Sequence, residues 1–234
     1  MKTVLVTGGS RGIGLGIVKA FLARGDRVIN IDKATPKEPL KGMYHYVYAD
    51  LADHGKLSTV FEEARAHTDC IDVLILCAAD TESEPFEAMT RERVSRTLDV
   101  NVTTSLMLAK DFVGQYLGDS GRIVIITSTR AFMSEEDTLA YTVSKGALEA
   151  MKHALAVTLA KKKITVNAVA PGWIDTGKHP VRDKDRQFHP SARIGDVDDV
   201  ARVCLFLSAP ENGFINGETI VVDGGVTRKM VYPD

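Results

Sequence analysis

Seven short runs of apolar and β-branched residues punctuate the chain, with helical patterns between most of them. They are TVLVT (3–7), RVINI (27–31), YHYVYA (44–49), IDVLILC (71–77), GRIVIIT (121–127), ITVNAVA (164–170) and ETIVVDG (218–224). Most are apolar at nearly every position rather than at alternate ones, so both faces of each strand are expected to be buried, as in a parallel sheet covered by helices. Parallel neighbours need crossovers long enough to hold a helix. Helical periodicity at about 12–24, 54–67, 90–117, 140–161 and 197–208 supplies them. The rhythm predicts an α/β chain with a doubly wound sheet and right-handed crossovers. With 234 residues and no internal repeat, low-complexity tract or linker, one domain over 1–234 is expected. The long irregular stretch GWIDTGKHPVRDKDRQFHPSARIGD, at about 172–196, has the length of a substrate lid.

Composition excludes several function classes. Lys and Arg total 29 against 31 Asp and Glu, a formal charge of −2, without the basic excess of a nucleic-acid binder. No apolar run is long enough for a membrane span, and no leader is expected before the first strand. Three cysteines (Cys70, Cys77, Cys204) without a C-x-x-C do not form a disulfide framework, so the cytoplasm is the expected compartment. The six histidines lack ligand spacing, and no metal site is expected.

Between the first strand and the first helix lies TGGSRGIG (7–14), with Gly8, Gly12 and Gly14 spaced G-x-x-x-G-x-G. The first permits a tight turn, the second lets backbone approach a phosphate, and the third lets helix and strand pack closely. The helix N-terminus behind them presents unpaired N–H groups and a positive dipole end to a pyrophosphate. Asp32, at the end of the second strand, is placed to accept from a ribose 2′-hydroxyl. Asp50, ending the third strand in YADLAD, either continues this site or N-caps the next helix.

A second feature lies in AYTVSKGALEAMKHALAVTLA (140–160). Tyr141 and Lys145 are i and i+4, on one face of a helix whose apolar stripe (Val143, Ala147, Leu148, Met151, Leu155, Leu159) needs neither of them. A free tyrosine, with pKa about 10, is a poor base near neutrality. A cation about 4 Å away, at an effective dielectric near 20, favours a phenolate by roughly 4 kcal/mol. Ser128, at the carboxyl end of a parallel strand, lies on the edge where doubly wound sheets bind ligands.

TGGSRGIG, Asn101 in LDVNVT, Ser128 in IVIITST, Y-T-V-S-K at Tyr141–Lys145 and PGWIDT at 171–176 follow the order and spacing of the short-chain dehydrogenase/reductase family, which this chain resembles from its first strand to VVDGG. The resemblance implies a single Rossmann domain with a seven-stranded, mostly parallel sheet and helices on both faces. It also implies an oxidoreductase that moves a hydride between a nicotinamide cofactor and a secondary alcohol or ketone. Its catalytic tetrad would be Asn101, Ser128, Tyr141 and Lys145. Tyr141 would exchange the proton and Ser128 would hold the substrate oxygen. Lys145 would also hold the nicotinamide ribose, and Asn101 would support a water-linked proton path. The cofactor would meet Gly8, Ser10, Arg11, Gly12, Ile13 and Gly14 in the loop, then Asp32, Asp50 and Leu51. Beyond the fourth strand it would meet Cys77, Ala78 and Ala79. Pro171, Gly172, Ile174 and Thr176 would lie along the nicotinamide, with the Ile174 backbone and Thr176 hydroxyl on the carboxamide.

Asp32 favours NAD over NADP because a 2′-phosphate would bring a second anion beside it. Arg11 and Lys33 pull the other way. The family's Asn-Asn-Ala-Gly reads Cys77-Ala78-Ala79-Asp80 here, which puts a carboxylate where a glycine is usual. Arg130, Phe132, Met133, Trp173 and the 178–190 loop are expected to line the substrate pocket. Lys178, His179, Arg182, Lys184, Arg186 and His189 add positive charge there, offset by Asp183 and Asp185. Surplus apolar residues on two helices (Leu106, Met107, Phe112, Val113, Leu117; Met151, Leu155, Val157) predict a homotetramer or homodimer. Family members pair through these helices and through the last strand. The alternatives are a catalytically silent dinucleotide sensor or scaffold of the same fold, and an epimerase-like relative. The intact tetrad opposes the first and the short C-terminus the second.

Overall fold

Period-2 burial on both faces of the strands sets the architecture. In the computed structural model, which describes residues 1–230 except 54, 56, 117 and 179 and the side chain of Ser58, the strands in chain order are β1 (Thr3–Thr7), β2 (Arg27–Asp32), β3 (Tyr44–Tyr48), β4 (Val73–Leu76), β5 (Gly121–Ile126), β6 (Ile164–Pro171), β7 (Ile174–Asp175), β8 (Gly195–Asp196) and β9 (Thr219–Val222). Seven of them form one parallel sheet, ordered β3-β2-β1-β4-β5-β6-β9. The helices are α1 (Gly12–Ala23), α2 (Leu57–Arg65), α3 (Arg91–Leu98), α4 (Thr104–Gln115), α5 (Leu139–Leu159), α6 (Asp183–Phe188) and α7 (Val197–Leu207).

Alternate residues of each central strand enter opposite cores. Leu5, Ile29, Leu74, Ile123 and Val166 pack with Phe61 of α2, Leu108 and Phe112 of α4, and Leu148 and Leu159 of α5. Val4, Val6, Val28, Ile75 and Val124 pack with Ile17 and Phe21 of α1 and with Val200 and Leu207 of α7. That two-sided burial is why the runs read as continuously apolar. The sheet order reverses between β1 and β4, so the loops after those strands open a crevice at their carboxyl ends.

Three features differ from the sequence expectation. The helix expected over 90–117 is two helices, α3 and α4, joined by a π-turn over Asp99–Thr103. The irregular stretch 172–196 holds α6 and the small parallel pair β7–β8. Val143, assigned to the buried stripe of α5, is exposed, whereas its neighbours Ser144 and Lys145 are buried. Of the surplus apolar residues, Phe112 and Met151 belong to the chain's own core, while Leu106 and Val157 are exposed; Leu117 and His179 lie outside the described residues. Among the described residues no helix is long and apolar enough to cross a membrane.

Candidate active site

The glycine loop is shaped by contacts that leave no room for side chains. Gly8 has φ +70°, and a Cβ there would come within 2.8 Å of Ala78 Cα. A Cβ on Gly14 would run into the Gly8 carbonyl. Helix α1 then begins at Gly12 behind Arg11, whose side chain makes no capping bond. The first-turn N–H groups therefore have no side-chain cap from Arg11, the arrangement that favours an anion at a helix N-terminus. Two buried polar side chains fix the loop from below. Asn30 Oδ1 accepts from Gly9 N at 2.8 Å, and its Nδ2 donates to Ser10 Oγ and Tyr44 Oη, both at 3.0 Å. Thr7 Oγ1 accepts from Cys77 N (3.0 Å) and Ala78 N (3.1 Å), tying the loop after β4 to the glycine loop.

Asp32 ends β2 with its carboxylate pinned. Oδ2 accepts from Ser10 N at 3.0 Å and Oδ1 from Ala34 N at 3.1 Å, while the Asp32 carbonyl accepts from Tyr46 Oη at 2.9 Å. Ser10 Oγ donates to the Ala34 carbonyl, so the serine braces the loop instead of lining the cleft. Asp50 does not N-cap α2, which starts at Leu57; its Oδ1 accepts from Ala52 N (3.1 Å), and Lys33 Nζ lies 4.0 Å from its Oδ2.

A cleft of about 490 Å³ opens at the carboxyl ends of the strands. One end is walled by Gly8, Arg11–Gly14, Asp32, Asp50 and Leu51; the loop Cys77–Ala79 follows; the other end holds Ser128, Tyr141, Lys145, Pro171, Gly172 and Thr176. Nearly every residue expected at the cofactor site thus meets in one cavity. Ser10 and Ile174 do not line it, and Ile174 is buried in the core beside α7. Arg96, Val100 and Lys178 also line the cleft.

The catalytic candidates come from three elements. Lys145 is 2% exposed, and its Nζ donates to the Ile126 carbonyl at 2.9 Å, with the other two ammonium donors meeting no acceptor among the described residues. It lies 5.4 Å from the centre of the Tyr141 ring. A buried ammonium with spare donors on a cleft wall is costly for folding alone, and ligand hydroxyls would satisfy it. Ser128, just past β5, caps the 3-10 turn Thr129–Ala131, with its Oγ accepting from Arg130 N at 3.2 Å.

Asn101 occupies the π-turn and is fully buried outside the cleft lining. Its Nδ2 donates to the Asp80 carbonyl (3.0 Å) and Ser144 Oγ (2.9 Å), and its Oδ1 accepts from Asp80 N (2.7 Å). The amide is thus held by protein groups and clamps the loop after β4 to α5. Asp80, in the family's glycine position, faces Arg93 in a two-pronged pair (2.7 and 2.9 Å), with Arg96 Nε at 3.5 Å. Burial pushes its carboxyl up, but the Arg93 hydrogen bonds and the charges of Arg93 and Arg96 outweigh that and hold it below the usual range. Burial pushes the Cys77 thiol up to about 12, with Lys145 opposing weakly, so it is an inert wall residue.

On the substrate side the sequence expectation needs correction. Of the expected pocket residues, Lys178 lines the cleft. Arg130 stands beside it, over the Tyr141 ring, while Phe132, Met133 and Trp173 are exposed outside the lining. Much of the loop's positive charge is spent internally: Arg182 on Asp185, Arg186 on Asp183. His189 is buried, with Nδ1 2.8 Å from the Asp185 carbonyl. Sequence reasoning missed Asn30, whose signal was an amide inside the otherwise apolar run RVINI, and the Asp80–Arg93 pair, which no short-range pattern marks.

Comparisons with known proteins agree with this fold. Residues 8–227 match a family model described as enoyl-(acyl carrier protein) reductase. An uncharacterized oxidoreductase of Thermotoga maritima is 33% identical over 252 residues, spanning 100% of this chain and 98% of the relative. An apo SCOR enzyme from Clostridium thermocellum superposes with a TM-score of 0.91 at 34% identity, covering 99% of this chain and 95% of that one. The ligand-free aldohexose dehydrogenase of Thermoplasma acidophilum also reaches a TM-score of 0.91, at 27% identity, covering 100% and 97%. Sequence, sheet order and whole-chain similarity converge: the chain belongs to the short-chain dehydrogenase/reductase family of oxidoreductases.

Proposed function

We propose that this oxidoreductase interconverts a secondary alcohol and a ketone, uses NAD in preference to NADP, and employs Tyr141 as its general acid–base. The carrying observation is the buried Lys145 ammonium beneath the Tyr141 ring, on the wall of a cleft whose far end is closed by the glycine loop and Asp32. The cradle fits a dinucleotide: side chains are excluded at Gly8 and Gly14, and the acid that would meet the adenosine ribose is held in place by Ser10 and Ala34. Gly8, Arg11–Gly14, Asp32, Asp50, Leu51, Ala78 and Ala79 would hold the adenosine and pyrophosphate. Lys145, Pro171, Gly172 and Thr176 would hold the nicotinamide end. Bound there, the cofactor supplies or accepts the hydride.

The chain's own residues manage the oxygen and its proton. Ser128 Oγ holds the substrate oxygen toward Tyr141, whose hydroxyl delivers a proton when a ketone is reduced and takes one when an alcohol is oxidised. Lys145 sets a positive charge beside the Tyr141 ring and steadies the ribose hydroxyls through its spare donors. Asn101 keeps the Asp80 loop and α5 in register, so Tyr141 and the cofactor cradle stay in fixed relation. The half-exposed edge strand β9 and the exposed Leu106 and Val157 support assembly into a homotetramer or homodimer. The direct test is a panel of secondary alcohols and ketones followed at the nicotinamide absorbance with each cofactor. Tyr141→Phe should lower turnover on an active pair by about 10²–10⁴-fold and leave cofactor affinity nearly unchanged. Near-normal turnover in that variant would remove Tyr141 from the mechanism.

A further inference from the structure

We infer that Arg130 is the specificity-determining residue for an anionic substrate, taking the carboxylate of a short hydroxy or keto acid beside Tyr141; this rests on the alcohol–ketone reading above. Arg130 is tied to both groups that would handle the reacting oxygen. Its backbone N–H donates to Ser128 Oγ at 3.2 Å, and its guanidinium lies 6.0 Å from the centre of the Tyr141 ring. Its side chain is 30% exposed, enough to meet a ligand.

Most other arginines near the cleft are committed elsewhere, and Arg11, without a partner among the described residues, lies at the glycine-loop end. Arg93 holds Asp80, Arg182 holds Asp185, Arg186 holds Asp183 and Arg193 holds Asp199. Arg130 also has a partner, Glu135, but that side chain is 71% exposed and sits in the 3-10-to-α5 connection. An ion pair so open to water holds weakly and can be exchanged. A carboxylate delivered by a bound substrate presents the same two oxygens to the guanidinium fork, closer to the tyrosine and with less water around it. Glu135 then acts as the resting counter-ion that a neutral substrate leaves in place. Lys178, which lines the cleft with no acidic partner among the described residues, adds positive potential of the same sign.

The test uses the full chain saturated with reduced nicotinamide cofactor and two matched probes, malonate and malonamide, titrated by calorimetry. Malonate should bind at least about tenfold more tightly, a gap that Arg130→Met abolishes and Arg130→Lys partly keeps. Glu135→Gln should tighten malonate by removing its competitor. In turnover, short 3-hydroxycarboxylates should exceed their methyl esters in kcat/KM. Arg130→Met should cost the acids about 10- to 100-fold and leave the esters nearly unchanged. Equal binding of the two probes, or a malonate preference that survives in Arg130→Met, overturns the inference whatever turnover shows. Should no alcohol or ketone react while malonate still requires Arg130, the anion site stands and the alcohol–ketone reading falls. Should esters react as well as acids, with Arg130→Met changing neither, that reading stands and the anion site falls.

Discussion

Replacing Asp32 with alanine should move the cofactor preference toward NADP, and the structure allows the size of the change to be worked out. The carboxylate cannot swing aside, because Ser10 N and Ala34 N hold one oxygen each at 3.0 and 3.1 Å. A 2′-phosphate would therefore meet it at close range, where two unit anions about 4 Å apart repel by roughly 1 kcal/mol in water and about 4 kcal/mol at a dielectric of 20. Asp32 is half-buried on an open cleft, so a value near 2 kcal/mol is appropriate, about 30-fold in relative affinity. Removing the acid would also delete the bonds proposed for it to the ribose hydroxyls, worth about 1.5–3 kcal/mol for a charged acceptor, or roughly 10- to 100-fold against NAD. Arg11 is exposed on the cleft with no partner among the described residues, so it is free to take the phosphate. Together these terms predict a shift of about 300- to 3,000-fold in the ratio of kcat/KM for NAD over NADP. Asp32→Asn separates charge from loop anchoring, since an amide oxygen can still accept from one backbone N–H. Its ratio should move by the repulsive part and by the charge-assisted share of the ribose bonds, and by no more than Asp32→Ala. A wild type that prefers NADP, or an Asp32→Ala ratio that does not move, would refute Asp32 as the selector.

Three further outcomes are expected. Lys145→Met should lower both turnover and cofactor affinity, because the buried ammonium beside the Tyr141 ring is lost; a variant that keeps both would remove Lys145 from the site. Asn30→Val should weaken cofactor binding by about 10-fold or more while turnover at saturating cofactor changes little, because the bonds lost steady Gly9 and Ser10 rather than the reacting groups. Equal loss in both, or none in cofactor affinity measured by NADH fluorescence, would count against that role. Light scattering at micromolar concentration should give a tetramer or dimer, and a monomer would leave β9, Leu106 and Val157 without the partner proposed for them.

The strands were legible because two-sided burial writes itself into consecutive apolar residues, and six of the seven runs match their observed strands to within one residue at the start. The glycine loop and Asp32 were legible because backbone sterics and the strand–turn–helix order constrain them locally. Other features depend on contacts between distant segments, which periodicity does not encode. The break in the 90–117 helix belongs to Asn101, whose amide is captured by the backbone of Asp80, 21 residues earlier. The charge of the 178–190 loop read as free because the i,i+3 pairs Arg182–Asp185 and Asp183–Arg186 form only once α6 exists. Helical periodicity also chose the wrong face at the start of α5, setting Val143 inside. The buried position belongs to Lys145, and only the cleft explains why a cation occupies it.

Asp80 shows how the site absorbs its departure from the family pattern. A glycine in such a loop would matter if the backbone needed a left-handed conformation, but Asp80 is not among the described non-glycine residues with positive φ. Its main chain does the work of the loop, with N–H and carbonyl both engaged by the Asn101 amide. The side chain then poses an electrostatic problem, since an uncompensated carboxylate on the cleft wall would repel the pyrophosphate of a dinucleotide. Arg93 and Arg96 answer it from successive turns of α3, three residues apart on one helix face. The ion pair carries α3 with it, fastening that helix to the β4 loop. The acid therefore adds a tertiary tie without adding net charge at the cofactor, and the same substitution made without an arginine on α3 would be expected to weaken dinucleotide binding.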